Sequence, residues 1–284
     1  MPFRDILNQG QKILTEKNVA NPRFDARILL TYVLKNNIDK ILFDYDAAIT
    51  KEQQTQFFEL ISRRSKREPV SRIIGKKGFW KYDFSISKET LDPRPDTETL
   101  IEAVLSEFQD KEKKLRIIDL GTGSGCIAIS LAGEYLNSEV IGVDAAKDAV
   151  LTAQKNASYL GFSDRCQFIN SDWNSLEENF LQDCDIVISN PPYIKADDIR
   201  DLEEEVRIFD PHLALSGGIS GLEAYRELSE LFLKKLKSGT VVFVEIGDGQ
   251  DKDVIEIMTN SGLIFKKKYY DLSQKIRCLS FTYK

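Results

Sequence analysis

From about residue 91 to the end of the chain, short apolar runs rich in β-branched residues alternate with helical segments, and this alternation constrains the fold more than any other feature. The runs fall at residues 115–120, 140–143, 167–169, 185–189 and 241–245, and helical stretches such as 145–160 separate them. Strands joined through helices have to cross over right-handedly and lie mostly parallel, so the pattern predicts a wound α/β sheet of the Rossmann-like kind. Two further runs, at 263–270 and 277–283, have only a short turn between them, which predicts an antiparallel last strand. In such a sheet a ligand sits beyond the carboxyl ends of the strands, and functional residues are to be sought there.

Residues 1–75 read differently. Phe3, Ile6, Leu7, Ile13 and Leu14 recur at helical spacing, which predicts a small helical domain. Asn21 before Pro22 fits an N-cap followed by proline at the first helical position, and Thr50 with Gln53 fits a capping box. Gly75 and Gly78 break the pattern, and the alternation over 79–87 predicts a hairpin-like pair of short strands, so residues 76–90 are expected to link the helical domain to a catalytic domain at 91–284.

At 284 residues, with 42% hydrophobic and 30% charged side chains, the chain can build a sizeable core and is too apolar to be disordered. No apolar run approaches the length of a membrane span and the first residues carry no secretory h-region, so a cytosolic protein without membrane attachment is expected. Cys126, Cys166, Cys184 and Cys278 lie far apart, and His212 is the single histidine. Neither a zinc site nor a disulfide framework is indicated, and a histidine triad would have to use that one residue. Residues 1–75 hold 13 Lys/Arg against 9 Asp/Glu, a net +4, which leaves 26 against 36, a net −10, for the rest. The run Arg63-Arg64-Ser65-Lys66-Arg67 is either a basic patch for an acidic partner or RNA, or a solvated helix end.

Asp119-Leu120-Gly121-Thr122-Gly123-Ser124-Gly125 follows a strand run and opens a helix. Glycines there allow turn conformations closed to other residues and let backbone approach a ligand. A dinucleotide fingerprint would need glycine at 126, where the chain has Cys126, and a P-loop would need a Lys-Ser/Thr pair, which is missing. The D-x-G-x-G-x-G pattern instead resembles motif I of class I methyltransferases, whose ligand has no phosphates. Asp144 ends the next strand run, where a carboxylate either accepts from ribose hydroxyls or is an exposed turn residue. Asp172-Trp173 ends the third, and the tryptophan either flanks an adenine or packs.

Asn190-Pro191-Pro192-Tyr193 comes directly after the run at 185–189. Two prolines ending a strand are explained by the missing donor and the extended bias that proline imposes. The asparagine and tyrosine are not. An Asn carbonyl oxygen and the Pro191 carbonyl offer two acceptors on a stiff support, which suits a planar NH₂ group, and Tyr193 can supply a stacking face. An amide or exocyclic amine nitrogen is a poor nucleophile, so holding it in line with a sulfonium methyl is the main catalytic task.

Over nearly its whole length the chain resembles the release-factor glutamine methyltransferase family, PrmC/HemK. The resemblance rests on Asp25-Ala26-Arg27-Ile28-Leu29-Leu30, Arg67-Glu68-Pro69-Val70, Pro93-Arg94-Pro95-Asp96-Thr97-Glu98, the glycine loop, Ser171-Asp172-Trp173, the NPPY segment, and Pro211-His212-Leu213-Ala214-Leu215-Ser216-Gly217-Gly218. It implies S-adenosylmethionine as cofactor, with S-adenosylhomocysteine as product and no metal. It implies cofactor contacts from Gly121, Thr122, Gly123, Ser124, Gly125, Asp144, Trp173 and Asn190. The catalytic and substrate-binding residues it implies are Asn190, Pro191, Pro192 and Tyr193, acting on the glutamine of the Gly-Gly-Gln motif in peptide chain release factors. A monomer without direct nucleic-acid binding is expected, the helical domain serving substrate recognition. Asp92 departs from the family pattern, where an apolar residue is expected. The stretch 93–98 is expected to line the cofactor pocket and to cap the following helix, and His212 to shape a loop. DNA adenine and ribosomal RNA guanine methyltransferases share an NPPY-like loop, so a nucleic-acid amino-methyltransferase is the leading alternative, and a cofactor-binding regulator without catalysis is another. The acidic catalytic domain weighs against a surface that meets phosphates.

Overall fold

The structure, a computed structural model, describes residues 2–35 and 49–284; residues 36–48 of the expected helical domain lie outside this range. In chain order the described elements are α1 (Phe3–Glu16), α2 (Pro22–Val33), α3 (Lys51–Ser65), α4 (Val70–Ile74), β1 (Lys76–Phe79), β2 (Tyr82–Ser85), α5 (Glu98–Glu107), β3 (Arg116–Leu120), α6 (Cys126–Glu134), β4 (Glu139–Asp144), α7 (Lys147–Leu160), β5 (Cys166–Asn170) and β6 (Ile186–Ser189). There follow α8 (Glu204–Phe209), α9 (His212–Leu215), α10 (Glu223–Lys235), β7 (Val241–Glu245), α11 (Asp251–Asn260), β8 (Leu263–Tyr270) and β9 (Ile276–Tyr283). They divide into two compact units, Met1–Lys76 with Glu203–Phe209, and Lys77–Leu202 with Asp210–Lys284. Among the described residues no helix is long and apolar enough to cross a membrane.

The first unit packs α1, α2 and α3 around Phe3, Ile6, Leu14, Leu29, Leu30, Phe57 and Ile61. The Thr50–Gln53 capping box is formed at the start of α3, whereas Asn21 precedes Pro22 as expected but makes no side-chain cap bond. The basic run is not a free patch. Arg64 is buried, its Nε donating to Asp25 at 2.7 Å and its two terminal nitrogens to Glu205 of α8 at 3.1 Å. Arg67 meets Glu204 and Glu205 at 3.2 Å, and Arg63 donates to Glu68 at 2.8 Å. These pairs tie α8 into the helical unit, although it is encoded far downstream, because a buried guanidinium has to be matched by carboxylates.

The second unit holds the two-stranded sheet β1–β2 and a seven-stranded sheet in the order β5-β4-β3-β6-β7-β9-β8. The expected strand pair is present but begins at Lys76 and turns at Trp80 and Lys81. Pairs from β5 to β7 are parallel, and β9 runs antiparallel to both β7 and β8. Each central strand is buried on both faces. Ile117, Ile186, Ile188 and Phe243 face a core closed by α5, α6 and α7, while Ile118, Val187, Val242 and Val244 face one closed by α10 and α11. This two-sided burial explains why the strands read as continuous apolar runs. Asp92 is buried, with Lys77 at 4.0 Å from its carboxylate.

In α1, a methyl group added at Gly10 would lie 2.5 Å from the Phe57 ring, which is fully buried and has no room to move. Gly10→Ala gains up to about 1 kcal/mol of helix preference but incurs an overpacking cost of about 1–3 kcal/mol. The expected outcome is a lower melting temperature by circular dichroism; an unchanged or raised one would show that α1 and α3 are not in this close contact.

Candidate active site

The strand order reverses at β3: β4 and β5 lie on one side of it, β6 and β7 on the other. A crevice at such a switch point is where wound sheets bind ligands. Here it is the cavity of about 610 Å³, within the usual range for small-molecule sites, whose wall includes Gly121, Thr122, Gly123, Ser124, Cys126, Ile127, Asp144, Trp173, Asn190 and Pro192.

The glycine loop leaves β3 from a buried carboxylate. Asp119 is fully buried and accepts from the Thr122 hydroxyl at 2.7 Å; burial pushes its carboxyl up to about 7, with Thr122 opposing the rise and Asp144 adding to it. Gly121, Gly123 and Gly125 all have positive φ, at 82°, 55° and 79°. A side chain on Gly123 would meet nothing within 4 Å, so this position is glycine for its conformation and leaves the backbone open to the cavity. Gly125 turns the chain into α6 from outside the cavity wall, with Ala153 only 3.0 Å from where its Cβ would be. Asp144 fixes the loop, its Oδ2 accepting from Gly123 N at 2.8 Å and its Oδ1 from Ala146 N at 2.9 Å. Burial raises its pKa against these two bonds. Each carboxylate oxygen keeps a further lone pair.

On the other side of β3, Asn190 leaves β6. Its Nδ2 donates to the Thr97 hydroxyl at 3.1 Å, and among the described residues nothing donates to its Oδ1 or to the Pro191 carbonyl. Pro192 lines the cavity; Pro191 is buried and, like Tyr193, stands outside the wall. The Tyr193 hydroxyl donates to Glu245 Oε1 at 3.2 Å, and its carbonyl accepts from Gln250 at 3.0 Å. Gly217 packs against this segment so closely that a Cβ would come within 2.7 Å of the Pro192 carbonyl, and its N–H donates to Ile194 at 2.8 Å. Pro93, Arg94 and Thr97 line the cavity as expected, but Thr97 makes no helix-capping bond, since its hydroxyl serves Asn190. His212 sits in the short α9 on the wall.

The wall also includes Glu89, Asp172, Glu223 and Glu227, against Arg94, which is paired with Asp210. An acidic, glycine-opened cavity with spare carboxylate lone pairs fits a cationic ligand with hydroxyl groups and lacks the lysine cradle of a phosphate site. S-adenosylmethionine has that chemistry. Sequence reasoning missed Glu245, and the one signal for it is an acidic residue closing the otherwise apolar run Val241-Val242-Phe243-Val244.

A family model described as the PrmC N-terminal domain matches residues 5–75, and one described as a methyltransferase domain matches residues 111–257. The release factor glutamine methyltransferase of Rhodospirillum rubrum is 41% identical over 274 residues, covering 96% of this chain and 83% of that one. The chain belongs to the release factor glutamine methyltransferase family. Proteins of the same name from Caulobacter vibrioides and Clostridium acetobutylicum are 37% and 35% identical, over 92% and 93% of this chain and 89% and 92% of theirs. A methyltransferase structure from Pyrococcus furiosus, 16% identical, covers 78% of this chain and 98% of its own with a TM-score of 0.51, and shows the shared fold. In this release factor glutamine methyltransferase family member, the methyltransferase match takes in both the glycine loop and the NPPY segment.

The buried Asp119 gives a test of the loop. Its folded pKa of about 7 lies above the ordinary 3.8, so the stability it contributes is full below 3.8 and is lost as pH rises through 7. Asp119→Asn removes that loss. Its melting temperature is expected to gain on the wild type between pH 5 and pH 8, by about 2–4 °C per kcal/mol recovered; a difference that does not change with pH would mean that Asp119 ionises freely.

Proposed function

We propose that the chain transfers the methyl group of S-adenosylmethionine to the side-chain amide nitrogen of the glutamine in the Gly-Gly-Gln motif of peptide chain release factors. The observation that carries this reading is the state of Asn190 on the cavity wall: its Nδ2 is engaged by Thr97, which leaves its Oδ1 as an acceptor for a ligand, and the Pro191 carbonyl is assigned as the second acceptor although Pro191 itself stands outside the wall. Family membership supplies the substrate class.

S-adenosylmethionine, when bound, supplies a methyl group on a cationic sulfur. The work left to the protein is placement. Gly121, Thr122, Gly123 and Ser124 form the cofactor wall with Gly125 turning the chain behind them, Asp144 accepts from the ribose hydroxyls through its remaining lone pairs, and Trp173 flanks the adenine. Asn190 closes the cofactor site on the substrate side. Its Oδ1 and the Pro191 carbonyl take the two N–H bonds of the glutamine amide, which fixes a delocalised, weakly nucleophilic nitrogen in line for attack. Both acceptors become better partners as positive charge develops on that nitrogen, so they favour the transition state over the ground state. Pro191 and Pro192 stiffen the segment, and Tyr193 acts from behind it by anchoring the loop. The proton of the methylated nitrogen leaves to water. No metal enters the scheme.

The helical unit is assigned to recognition of the intact release factor, and the chain is expected to work as a cytosolic monomer. Since Arg63, Arg64 and Arg67 of the basic run are paired with Glu68, Glu204 and Glu205, while Lys66 is exposed, recognition is assigned to Lys66 and other surfaces of that unit. A nucleic-acid amino-methyltransferase is disfavoured by the carboxylates on the cavity wall, which repel a phosphate backbone.

Asn190→Ala is expected to lower the single-turnover rate on purified release factor by about 10²–10³, with cofactor affinity by calorimetry nearly retained. Near-normal rates would reduce the NPPY segment to a strand-ending turn. Run beside it, a short Gly-Gly-Gln peptide should be a poorer substrate than the intact factor; equal kcat/KM for the two would remove the recognition role from the helical unit.

A further inference from the structure

We infer that Gln250 is a positioning residue for the methyl acceptor: its side-chain amide clasps the Tyr193 carbonyl, the Gly221 carbonyl and the Gly247 N–H together, and so fixes the downstream end of the NPPY segment. The inference rests on the proposed amide methylation and adds to it a residue outside both the NPPY segment and the cavity wall.

Gln250 immediately precedes α11, yet its side chain makes no capping bond to that helix and reaches back to the site. Nε2 donates to the Tyr193 carbonyl at 3.0 Å and to the Gly221 carbonyl at 3.2 Å, while Oε1 accepts from Gly247 N at 2.9 Å and lies 3.4 Å from the Tyr225 hydroxyl. Both amide donors are used, and both lone pairs of the oxygen are faced by a donor. Two of the partners are carbonyls, which only accept, and one is a backbone N–H, which only donates, so a single orientation of the amide satisfies them. Three glycines make room for this contact. A Cβ at Gly247 would lie 2.8 Å from Gln250 Oε1 and 3.0 Å from the Tyr193 ring, one at Gly221 would lie 2.6 Å from the Tyr193 carbonyl, and one at Gly217 would lie 2.8 Å from the Tyr193 Cα. Backbone from three loops thus closes around Tyr193, with the Gln250 amide joining them.

The clasp matters because of what lies between it and β6. Ser189 ends β6, and Pro191 and Pro192 have no N–H with which to hold the main chain. The main chain from Asn190 to Pro192 is therefore placed by its two ends. Upstream the pairing of β6 with β3 holds it. Downstream Tyr193 is fixed twice, by its hydroxyl on Glu245 at 3.2 Å and by its carbonyl on Gln250. The same amide holds Gly221, which ends the turn that begins with Gly217 and Gly218 on the cavity wall. A misplacement of about 1 Å in groups that orient a reacting atom costs on the order of 10² in rate. Among the described residues the glycine loop and Asp144 make no hydrogen bond to Gln250, so the cofactor side keeps its shape when the clasp is lost. Glutamate at 250 has nearly the shape of glutamine but turns an oxygen toward two carbonyls, so it removes both donors and keeps the acceptor for Gly247. Methionine fills the same length with neither.

The test uses the full chain with Gln250→Glu, Gln250→Met and Gln250→Asn, assayed on purified release factor beside calorimetric titration with S-adenosylhomocysteine. The stoichiometry of the titration counts folded sites, so rates are taken per binding site and a loss of folded protein does not enter them. Gln250→Glu and Gln250→Met are expected to lower kcat per site about 10–100-fold, with KM and S-adenosylhomocysteine affinity changed by less than about threefold. Gln250→Asn, the mildest change, leaves the amide one methylene short of the carbonyls and is expected to be slow as well. A residue that only supports stability would lower the melting temperature and the number of binding sites and leave kcat per site unchanged. Wild-type kcat per site in any of the three variants overturns the inference while the methylation stands, and so does an S-adenosylhomocysteine affinity that falls as far as kcat. A wild-type chain that leaves the release factor unmodified overturns the methylation, and the inference with it.

Discussion

The site depends on the pairing of β3 with β6. Leu120 lies opposite Ser189 in that register, and the Ser189 hydroxyl donates to the Leu120 carbonyl at 2.6 Å, so the two strands end level with each other. Gly121 and Asn190 are the next residues, and a Cβ on Gly121 would lie 4.0 Å from the Asn190 carbonyl. A slip of one residue in this pairing would turn every side chain of β6 to the opposite face and take Asn190 away from the glycine loop. The apolar residues of both strands are committed to separate cores, which is why that slip is forbidden and why the two halves of the site keep their spacing.

The same edge of the sheet collects two buried carboxyl groups, Asp119 and Glu245, and a half-buried one, Asp144. Asp119, Asp144 and Glu245 come from three strands, and burial raises the pKa of each. Among the described residues none is neutralised by an ion pair; hydroxyls and backbone N–H groups hold them instead. Such an arrangement lowers stability when the groups ionise, and it is retained where a fixed pattern of acceptors is needed. Asp144 fixes the glycine loop and Glu245 fixes the NPPY segment, so the acidic edge sets the shape of both walls.

Much of this was legible in the sequence. The central strands were found to within a residue or so because burial on both faces makes them continuous apolar runs, and the antiparallel last pair followed from the short turn at 271–275. Gly121, Gly123 and Gly125 were informative because all three have a positive φ, and Asn190 because two prolines do not require an asparagine before them. Other features depend on contacts that sequence neighbours do not reveal. Arg64 and Glu205 are 141 residues apart, so neither the pairing of Arg64 nor the association of α8 with the helical unit can be read locally. The stretch 93–98 reads as a helix cap, and Asn21 as another, because capping residues are recognised by type, while the hydrogen bond they make is decided by what packs beside them. Glu245 was passed over since an acid at a strand end ordinarily marks a turn to solvent.

The central claim is that the NPPY segment presents two acceptors to a glutamine amide. The most direct measurement is peptide mass mapping of a purified release factor after incubation with the wild-type chain and isotopically labelled S-adenosylmethionine. One labelled methyl group on the glutamine of the Gly-Gly-Gln peptide, and on no other residue, is the predicted result. An unmodified release factor together with label on the exocyclic amine of a nucleic-acid base would contradict it.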